Sequence, residues 1–147
     1  MIKDRGFLLI NLGTPDSTST GDVRRYLRQF LSDARVIDIP ALMRWFLLNL
    51  IILPLRPRKS AEAYRAIWTD RGSPLLLFTE QLAERVQKLT RCSVKFAMRY
   101  GNPSIESALL AFAQEGVRRI RVLPLYPQYA AASTASSIAE LYECAAR

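Results

Sequence analysis

The chain of 147 residues contains no histidine, and this is its most informative absence. Histidine is the commonest general base near neutral pH and the commonest metal ligand, so no imidazole can take either role here. The two cysteines, Cys92 and Cys144, lie far apart, and neither belongs to a CxxC pair. This spacing predicts unpaired thiols in a reducing compartment.

Long apolar runs and leader-like segments are also lacking. No stretch approaches the roughly 18–20 uncharged residues that a membrane-spanning helix needs. The first apolar run, 7–10, is too short for the core of a signal peptide and is soon ended by 13–16. We therefore expect a cytoplasmic protein.

Acidic residues are scarce relative to basic ones, with 13 against 21, which leaves a net charge of +8. This excess suits an anionic partner, and composition alone leaves nucleic acid, a membrane surface and an acidic small molecule open. The glycine motifs GxGxxG and GxxxxGK[ST] are absent, so the turn at 13–15 is a weak candidate for nucleotide binding. The aspartates show no spacing typical of a metal cage, and we predict no metal site.

Short apolar runs alternate with helical patterns along the chain. Runs at 6–12, 93–98 and 120–123 predict buried parallel strands. Helices are predicted between and after them, beginning near Thr20, Pro40, Ser60, Pro74, Ser104 and, for the last, Thr134 or Ser136. This order predicts an α/β fold of three layers, in which helices flank a parallel sheet.

The predicted sheet also indicates where a ligand binds. Right-handed crossovers bring the carboxyl ends of parallel strands to one edge, and the ligand crevice of such sheets lies outside that edge. The loops expected there are 13–15, 99–103 and 126–129. No domain boundary is predicted within 1–147, and the last helix is expected to lead to a further strand that the chain does not contain.

The segment 41–53 is apolar nearly all round, and Pro54 and Pro57 are expected to end it. One interpretation is a helix buried in the core. The other is a lip that lies in a membrane interface, with Arg44 and the following arginines at the headgroups. The basic tract that follows supports the second interpretation, because basic residues beside an apolar surface favour anionic lipid.

Cations and aromatic rings are concentrated around this segment. The cations are Arg56, Arg58, Lys59, Arg65 and Arg71, and the rings are Trp45, Phe46, Tyr64 and Trp68. Guanidinium groups pair with carboxylates and phosphates, and aromatic rings stack on flat ligands. The combination suits a flat, conjugated anion, but it also suits RNA bases or an ordinary solvated helix face.

Seven short strings match, in order, the pattern of one family. They are LINLGTP at 9–15, FLSDARV at 30–36, ILPLRP at 52–57, YRAIW at 64–68, GSPL at 72–75, AMRYGNP at 97–103 and LPLYPQY at 123–129. On these strings the chain resembles the ferrochelatases, lyases of haem and porphyrin biosynthesis that insert ferrous iron into protoporphyrin IX. The resemblance implies a two-domain α/β protein whose porphyrin cleft lies between two similar halves.

The resemblance further implies that residues 1–147 form the N-terminal, chelatase-like domain, truncated before its last strand, and that the second domain is absent. Iron and porphyrin are then substrates, and no organic cofactor is expected. The family's catalytic histidine lies in a Ser-x-His-Gly-like motif of the second half, with its acidic partner further on. We therefore predict no catalytic or metal-binding residue in this chain and expect it to be inactive alone.

By the same resemblance, several residues match positions that line or approach the porphyrin. They are Leu12, Arg56, Tyr64, Ser73, Tyr129 and, in the loop after the second strand, Arg99 and Tyr100. The segment 41–53, with Trp45, Phe46, Leu47 and Ile51, matches an apolar active-site lip that can rest on a membrane. The chain departs from the pattern at Ala130 and Ala132, where hydroxyl residues are common.

Two other functions stay open from the residues. A module that binds porphyrin or haem without chelation would need the same arginines and aromatic rings. An RNA-binding domain is favoured by net charge alone, and no nucleic-acid motif supports it, so no nucleic-acid partner is predicted. The oligomeric state stays open.

Overall fold

A computed structural model describes residues 4–147 and contains one parallel sheet. Its strands are β1 (Arg5–Gly13), β2 (Ser93–Tyr100) and β3 (Arg119–Pro124), in the order β2-β1-β3. The three predicted strands are confirmed. Each strand is two residues longer than predicted. The apolar run shows where a buried strand lies, but the ends of the strand also depend on its pairing with neighbouring strands.

Helices cover both faces of the sheet. They are α1 (Thr20–Ser32), α2 (Ala41–Phe46), α3 (Leu53–Ile67), α4 (Pro74–Leu89), α5 (Ile105–Gln114) and α6 (Ser136–Ala145). Single π-helical segments, Leu47–Ile52 and Ala131–Ala135, lead into α3 and α6. The predicted three-layer α/β architecture is confirmed.

Side-chain caps set the beginnings of two helices. Ser104 caps α5 as predicted, because its hydroxyl accepts a hydrogen bond from the Ser107 backbone at 3.1 Å. In α1 the predicted cap, Thr20, is wrong by one residue. Ser19 has the extended backbone that a cap requires, and its hydroxyl accepts from the Asp22 N–H at 3.1 Å.

The central strand β1 is buried on both faces. On one face Leu8 and Ile10, both fully buried, pack with Phe112 of α5. On the other face Asn11, the one polar member of the apolar run, donates through Nδ2 to the Thr79 hydroxyl of α4 at 3.0 Å. Because this amide has a partner, the strand can carry a polar residue toward its end without leaving an unsatisfied group.

Two glycines allow the carboxyl ends of β1 and β2 to approach closely. Gly13 has φ +116°, and a Cβ atom there would lie 1.7 Å from the Tyr100 carbonyl oxygen. Gly101 has φ +90°, and its Cβ would lie 2.5 Å from the Thr14 carbonyl oxygen. No other residue fits either position, because both the backbone angle and the space exclude a side chain.

The prediction that Pro54 and Pro57 end the apolar helix is wrong. The chain stays helical from α2 through α3, so the separate helix predicted near Ser60 is part of α3. Pro54 follows directly after the π-helical segment Leu47–Ile52, where the regular α-helical hydrogen-bond pattern is already interrupted. Pro57 cannot donate to the Leu53 carbonyl four residues earlier, but Arg24 of α1 donates to that carbonyl through Nε at 3.3 Å. This interhelical bond satisfies the acceptor that the proline leaves free.

Candidate functional site

The topology brings Leu12 and Tyr129 to the same edge of the sheet. Leu12 lies near the carboxyl end of β1 and is partly exposed. Tyr129 follows β3, which pairs directly with β1, and the Leu125 N–H continues that pairing by donating to the Ile10 carbonyl at 2.7 Å. Tyr129 is 73% exposed. The order of strands in the sequence predicts the ligand crevice at this same edge.

Tyr64 of α3 approaches the end of β1 through a second tyrosine. Its ring meets Tyr26 of α1 edge-on, with centroids 6.2 Å apart, and it meets Trp68 in the same way. The Tyr26 hydroxyl donates to the Gly13 carbonyl at 3.3 Å. Burial raises the pKa of Tyr64 and of Tyr26, so both phenols are neutral hydrogen-bond donors at neutral pH.

Ser73 and Arg56 occupy different surroundings. Ser73 is 4% exposed and takes the capping position of α4, but its hydroxyl makes no cap hydrogen bond. Arg56 is exposed on α3 and has no ion-pair partner among residues 4–147. Within the same residues, neither side chain bonds to Tyr64 or Tyr129. The structure therefore leaves both side chains unengaged, and their convergence on one ligand stays a prediction.

Arg99 and Tyr100 were predicted in a loop, but they are the last two residues of β2. Their side chains meet a carboxylate that no sequence pattern connects with them. One oxygen, Oδ2 of Asp33, accepts three side-chain hydrogen bonds. The donors are Arg99 Nη2 at 2.9 Å, the Tyr100 hydroxyl at 2.9 Å and the Ser136 hydroxyl at 2.5 Å.

This group, the Asp33 cluster, joins parts of the chain that are distant in sequence: the residue after α1, the end of β2 and the start of α6. Arg99 Nη1 also lies 3.2 Å from Glu140 Oε2 of α6, and its Nε donates to the Ser136 hydroxyl at 2.7 Å. The Arg99 side chain is 12% exposed and Tyr100 is fully buried. The polar atoms of both side chains already have partners inside the protein. Direct contact of Arg99 or Tyr100 with a ligand therefore stays a prediction.

The charges of the cluster follow from its contacts. Burial opposes ionisation of Asp33, but hydrogen bonds from Ser136, the Arg35 backbone and Tyr100 outweigh it, so the pKa of Asp33 is lowered. Burial raises the pKa of Tyr100 to about 12. Asp33 is therefore charged and Tyr100 protonated at neutral pH, as the hydrogen bonds require. In the sequence, Asp33 was noted only as a member of the string 30–36. Ser136 was noted only as a possible start of the last helix.

The apolar segment presents much of its surface to solvent, so its interpretation as a buried core helix is wrong. Only Leu48 and Leu53 are buried, at 4% and 3% exposure, and Leu47 is partly exposed. The exposed side chains form what we call the apolar lip. Its members are Leu42, Met43, Trp45, Phe46, Leu50, Ile51 and Leu55, each between 47% and 71% exposed. Exposed apolar patches of this kind mark sites of contact with proteins, membranes or ligands.

Within residues 4–147, no helix combines the length and apolar character that crossing a bilayer requires. Both Cys92 and Cys144 are free thiols, as predicted.

The parallel sheet, its flanking helices and the polar and aromatic residues at its carboxyl edge define an open α/β domain. The family model for ferrochelatase matches residues 4–147. The chain is 52% identical over 138 residues to the ferrochelatase of Alcanivorax borkumensis, 54% over 138 residues to that of Coxiella burnetii and 55% over 133 residues to that of Methylococcus capsulatus.

These alignments cover 90%, 92% and 90% of this chain. The chain belongs to the ferrochelatase family, an enzyme family of haem biosynthesis. It spans only 40%, 39% and 41% of the length of these three relatives and corresponds to their N-terminal part.

Proposed function

We propose that this chain forms the porphyrin-binding part of a ferrochelatase, which inserts ferrous iron into protoporphyrin IX to give protohaem. The supporting observation is the edge at which β1 ends, where Leu12, the tyrosine pair that reaches Gly13 and the loop carrying Tyr129 all lie. Porphyrin is flat and apolar with carboxylates at its rim, so its site needs an apolar surface, aromatic rings and cations.

In this proposal each residue has a role in binding rather than in proton removal. Leu12 contacts the ring, Tyr64 and Ser73 offer hydroxyl groups, and the free guanidinium of Arg56 pairs with a propionate. Iron insertion also requires a bent ring and the removal of two pyrrole protons. The sequence has no histidine to accept them, so we infer that this chain binds porphyrin but does not chelate iron alone.

Porphyrin binding is tested by titrating the chain with protoporphyrin IX and following tryptophan quenching. We expect saturation in the micromolar range and a roughly tenfold weaker Kd for Arg56→Gln, because a charge-assisted hydrogen bond contributes about 1.5–3 kcal/mol. Arg118→Gln, an equal change of charge at the opposite sheet edge, serves as the matched control and should leave Kd within about twofold. Linear, unsaturable quenching would remove the proposal.

Chelation is tested anaerobically with ferrous iron and protoporphyrin IX, following the absorbance of haem. The chain alone should give no haem above the background, and adding the remaining C-terminal part of the Alcanivorax borkumensis ferrochelatase as a separate chain should restore it. Haem formation by the chain alone, at a rate near that of the intact relative, would contradict the inactivity. Saturable porphyrin binding with no restoration would favour the alternative, a porphyrin- or haem-binding module.

We also propose that the apolar lip makes peripheral contact with a membrane. Its exposed rings and aliphatic chains suit the boundary between headgroups and acyl chains, and the basic residues of α3 that follow it suit the headgroups. Replacing two of its members, Trp45→Ser and Phe46→Ser, should lower sedimentation with phosphatidylcholine vesicles by about tenfold or more, since each buried ring contributes roughly 1.5–3 kcal/mol.

A further inference from the structure

A cavity of about 390 Å³ lies where the end of α1 meets the beginning of the apolar lip. Its walls include Arg28 and Ser32 from α1 and Arg44, Trp45 and Asn49 from the lip segment. No residue of the proposed porphyrin site lines it. No aspartate or glutamate is among its lining residues, so two guanidinium groups share this space without a carboxylate.

The two arginines are prepared to receive an anion in different ways. Arg44 is held in place because Nη1 donates to the Ile37 and Ile39 carbonyls, at 3.2 and 2.9 Å, and its Nε and Nη2 hydrogens stay available. Arg28 is exposed and has no ion-pair partner within residues 4–147. One guanidinium group fixed by backbone carbonyls and a second without an ion-pair partner together suit phosphate, which guanidinium groups bind through paired N–H donors.

The surroundings distinguish among the anions that could enter. Trp45 lines the cavity and is also 55% exposed as a member of the apolar lip, and its neighbours Leu42 and Phe46 are 68% and 47% exposed. A tryptophan with one wet side and one apolar side is typical of the headgroup level of a bilayer. A ligand in this cavity meets the Arg44 cation and the apolar surface of the lip within one turn of helix. The anionic group and the apolar part of such a ligand must therefore be adjacent.

The geometry points to a binding site for the phosphate of an anionic phospholipid, seated between Arg28 and Arg44 while the acyl chains lie along the apolar lip. This inference rests on the proposed membrane contact of the lip and adds the class of lipid. Nucleic acid has the phosphate but no apolar part to cover the lip. The nearest unpaired carboxylate in sequence, Asp38, is exposed in the loop before α2 and does not line the cavity.

The test compares sedimentation of the chain with vesicles of phosphatidylcholine alone and of phosphatidylcholine containing phosphatidylglycerol. Arg28→Glu should weaken binding to the phosphatidylglycerol vesicles by about tenfold or more, because it removes one cation near the anionic surface and adds an anion in its place. The matched control, Arg91→Glu, makes the same change of charge before β2 and should cost about threefold or less. Neither variant should change binding to phosphatidylcholine alone.

A second variant keeps the positive charge at position 44 and removes the paired N–H donors of the guanidinium group. Arg44→Lys should weaken binding to phosphatidylglycerol vesicles by at least about threefold, because a lysine cannot offer paired donors to one phosphate. Equal losses for Arg28→Glu and Arg91→Glu, with no loss for Arg44→Lys, would show attraction by net charge only and overturn the site. The membrane contact of the lip would survive that result.

If the unmodified chain sediments with neither vesicle, the lip proposal fails and the cavity is tested separately. The probe is monomeric dihexanoyl phosphatidylglycerol, followed through the fluorescence of Trp45 in a Trp68→Phe background, since these are the two tryptophans of the chain. Saturation that Arg28→Glu abolishes would support the cavity, and no saturation would overturn it. Equally tight saturation by inorganic phosphate would overturn the assignment to a lipid. Protoporphyrin binding should be unchanged by Arg28→Glu, which separates this site from the proposed porphyrin site.

Discussion

The Asp33 cluster and the apolar lip differ in what they bury: the cluster buries polar side chains, and the lip exposes apolar ones. In the cluster, charged and hydroxyl groups are buried, and each has a partner from a distant part of the chain. In the lip, large apolar side chains are exposed, although Leu48 in the same helical stretch is buried. The first region is complete within this chain and fixes geometry. The second has apolar surface left over, which indicates contact with something outside the described chain.

The largest effect that separates the two regions should come from Asp33→Ala. This variant leaves Arg99, Tyr100 and Ser136 without their shared acceptor, and breaking a buried ion pair costs about 3–5 kcal/mol. We expect a loss near 3 kcal/mol in the free energy of unfolding, measured with urea, because Glu140 still faces Arg99. Asp38→Ala, an exposed aspartate five residues later, should change it by less than about 0.5 kcal/mol. Similar values for both variants would mean that the cluster does not hold the fold together.

A somewhat smaller loss is expected from Leu48→Ala, in the buried side of the lip segment. Leu48 is 4% exposed, and removing a buried leucine side chain costs about 2–5 kcal/mol. We expect a loss near the lower limit, about 2 kcal/mol, because most side chains around Leu48 in this segment are exposed. The same urea titration measures it, and the unfolding slope should stay unchanged. A loss below about 1 kcal/mol would indicate that Leu48 is not packed inside the protein.

Acid should weaken the cluster and not the lip. The pKa of Asp33 is lowered in the folded protein from an ordinary value of 3.8, so its carboxylate adds stability above that value. The contribution is lost as the pH falls through the lower, folded pKa. Urea titrations from pH 6 downwards should therefore show a steeper acid loss of stability for the unmodified chain than for Asp33→Asn. Parallel pH profiles for the two proteins would contradict the assignment.

The sequence predicted the strands well, because a buried parallel strand is a continuous apolar run and the glycine and proline residues at 13, 101 and 124 follow or end the strands. It did not predict the passage of the helix through Pro57. At that point the Leu53 carbonyl, which the proline leaves free, accepts a hydrogen bond from Arg24, 29 residues away along the chain. A local pattern contains no information about such a partner.

The candidate site, like the fold, was predicted from the sequence only in part. Topology placed the loop that carries Tyr129 at the carboxyl edge of the sheet, because parallel strands end together, whereas Leu12 was named through the family resemblance. The Asp33 cluster was not predictable, since Asp33 and Ser136 are separated by 103 residues and neither has a local motif that suggests the other. The lip was undecided because a helix that is apolar all round fits both a core and an interface, and only the packing distinguishes them.

The smallest effect on stability should come from Leu50→Ser, in the exposed side of the lip. Leu50 is 62% exposed and only two residues from buried Leu48, so the pair tests one helical segment on its two sides. We expect a change in the free energy of unfolding within about 0.5 kcal/mol, because exposed positions tolerate substitution. The same variant should reduce binding to phosphatidylcholine vesicles severalfold, since exposed apolar surface is what the lip contributes. A variant that loses as much stability as Leu48→Ala would show that Leu50 packs inside the protein, and the lip would then need no external partner.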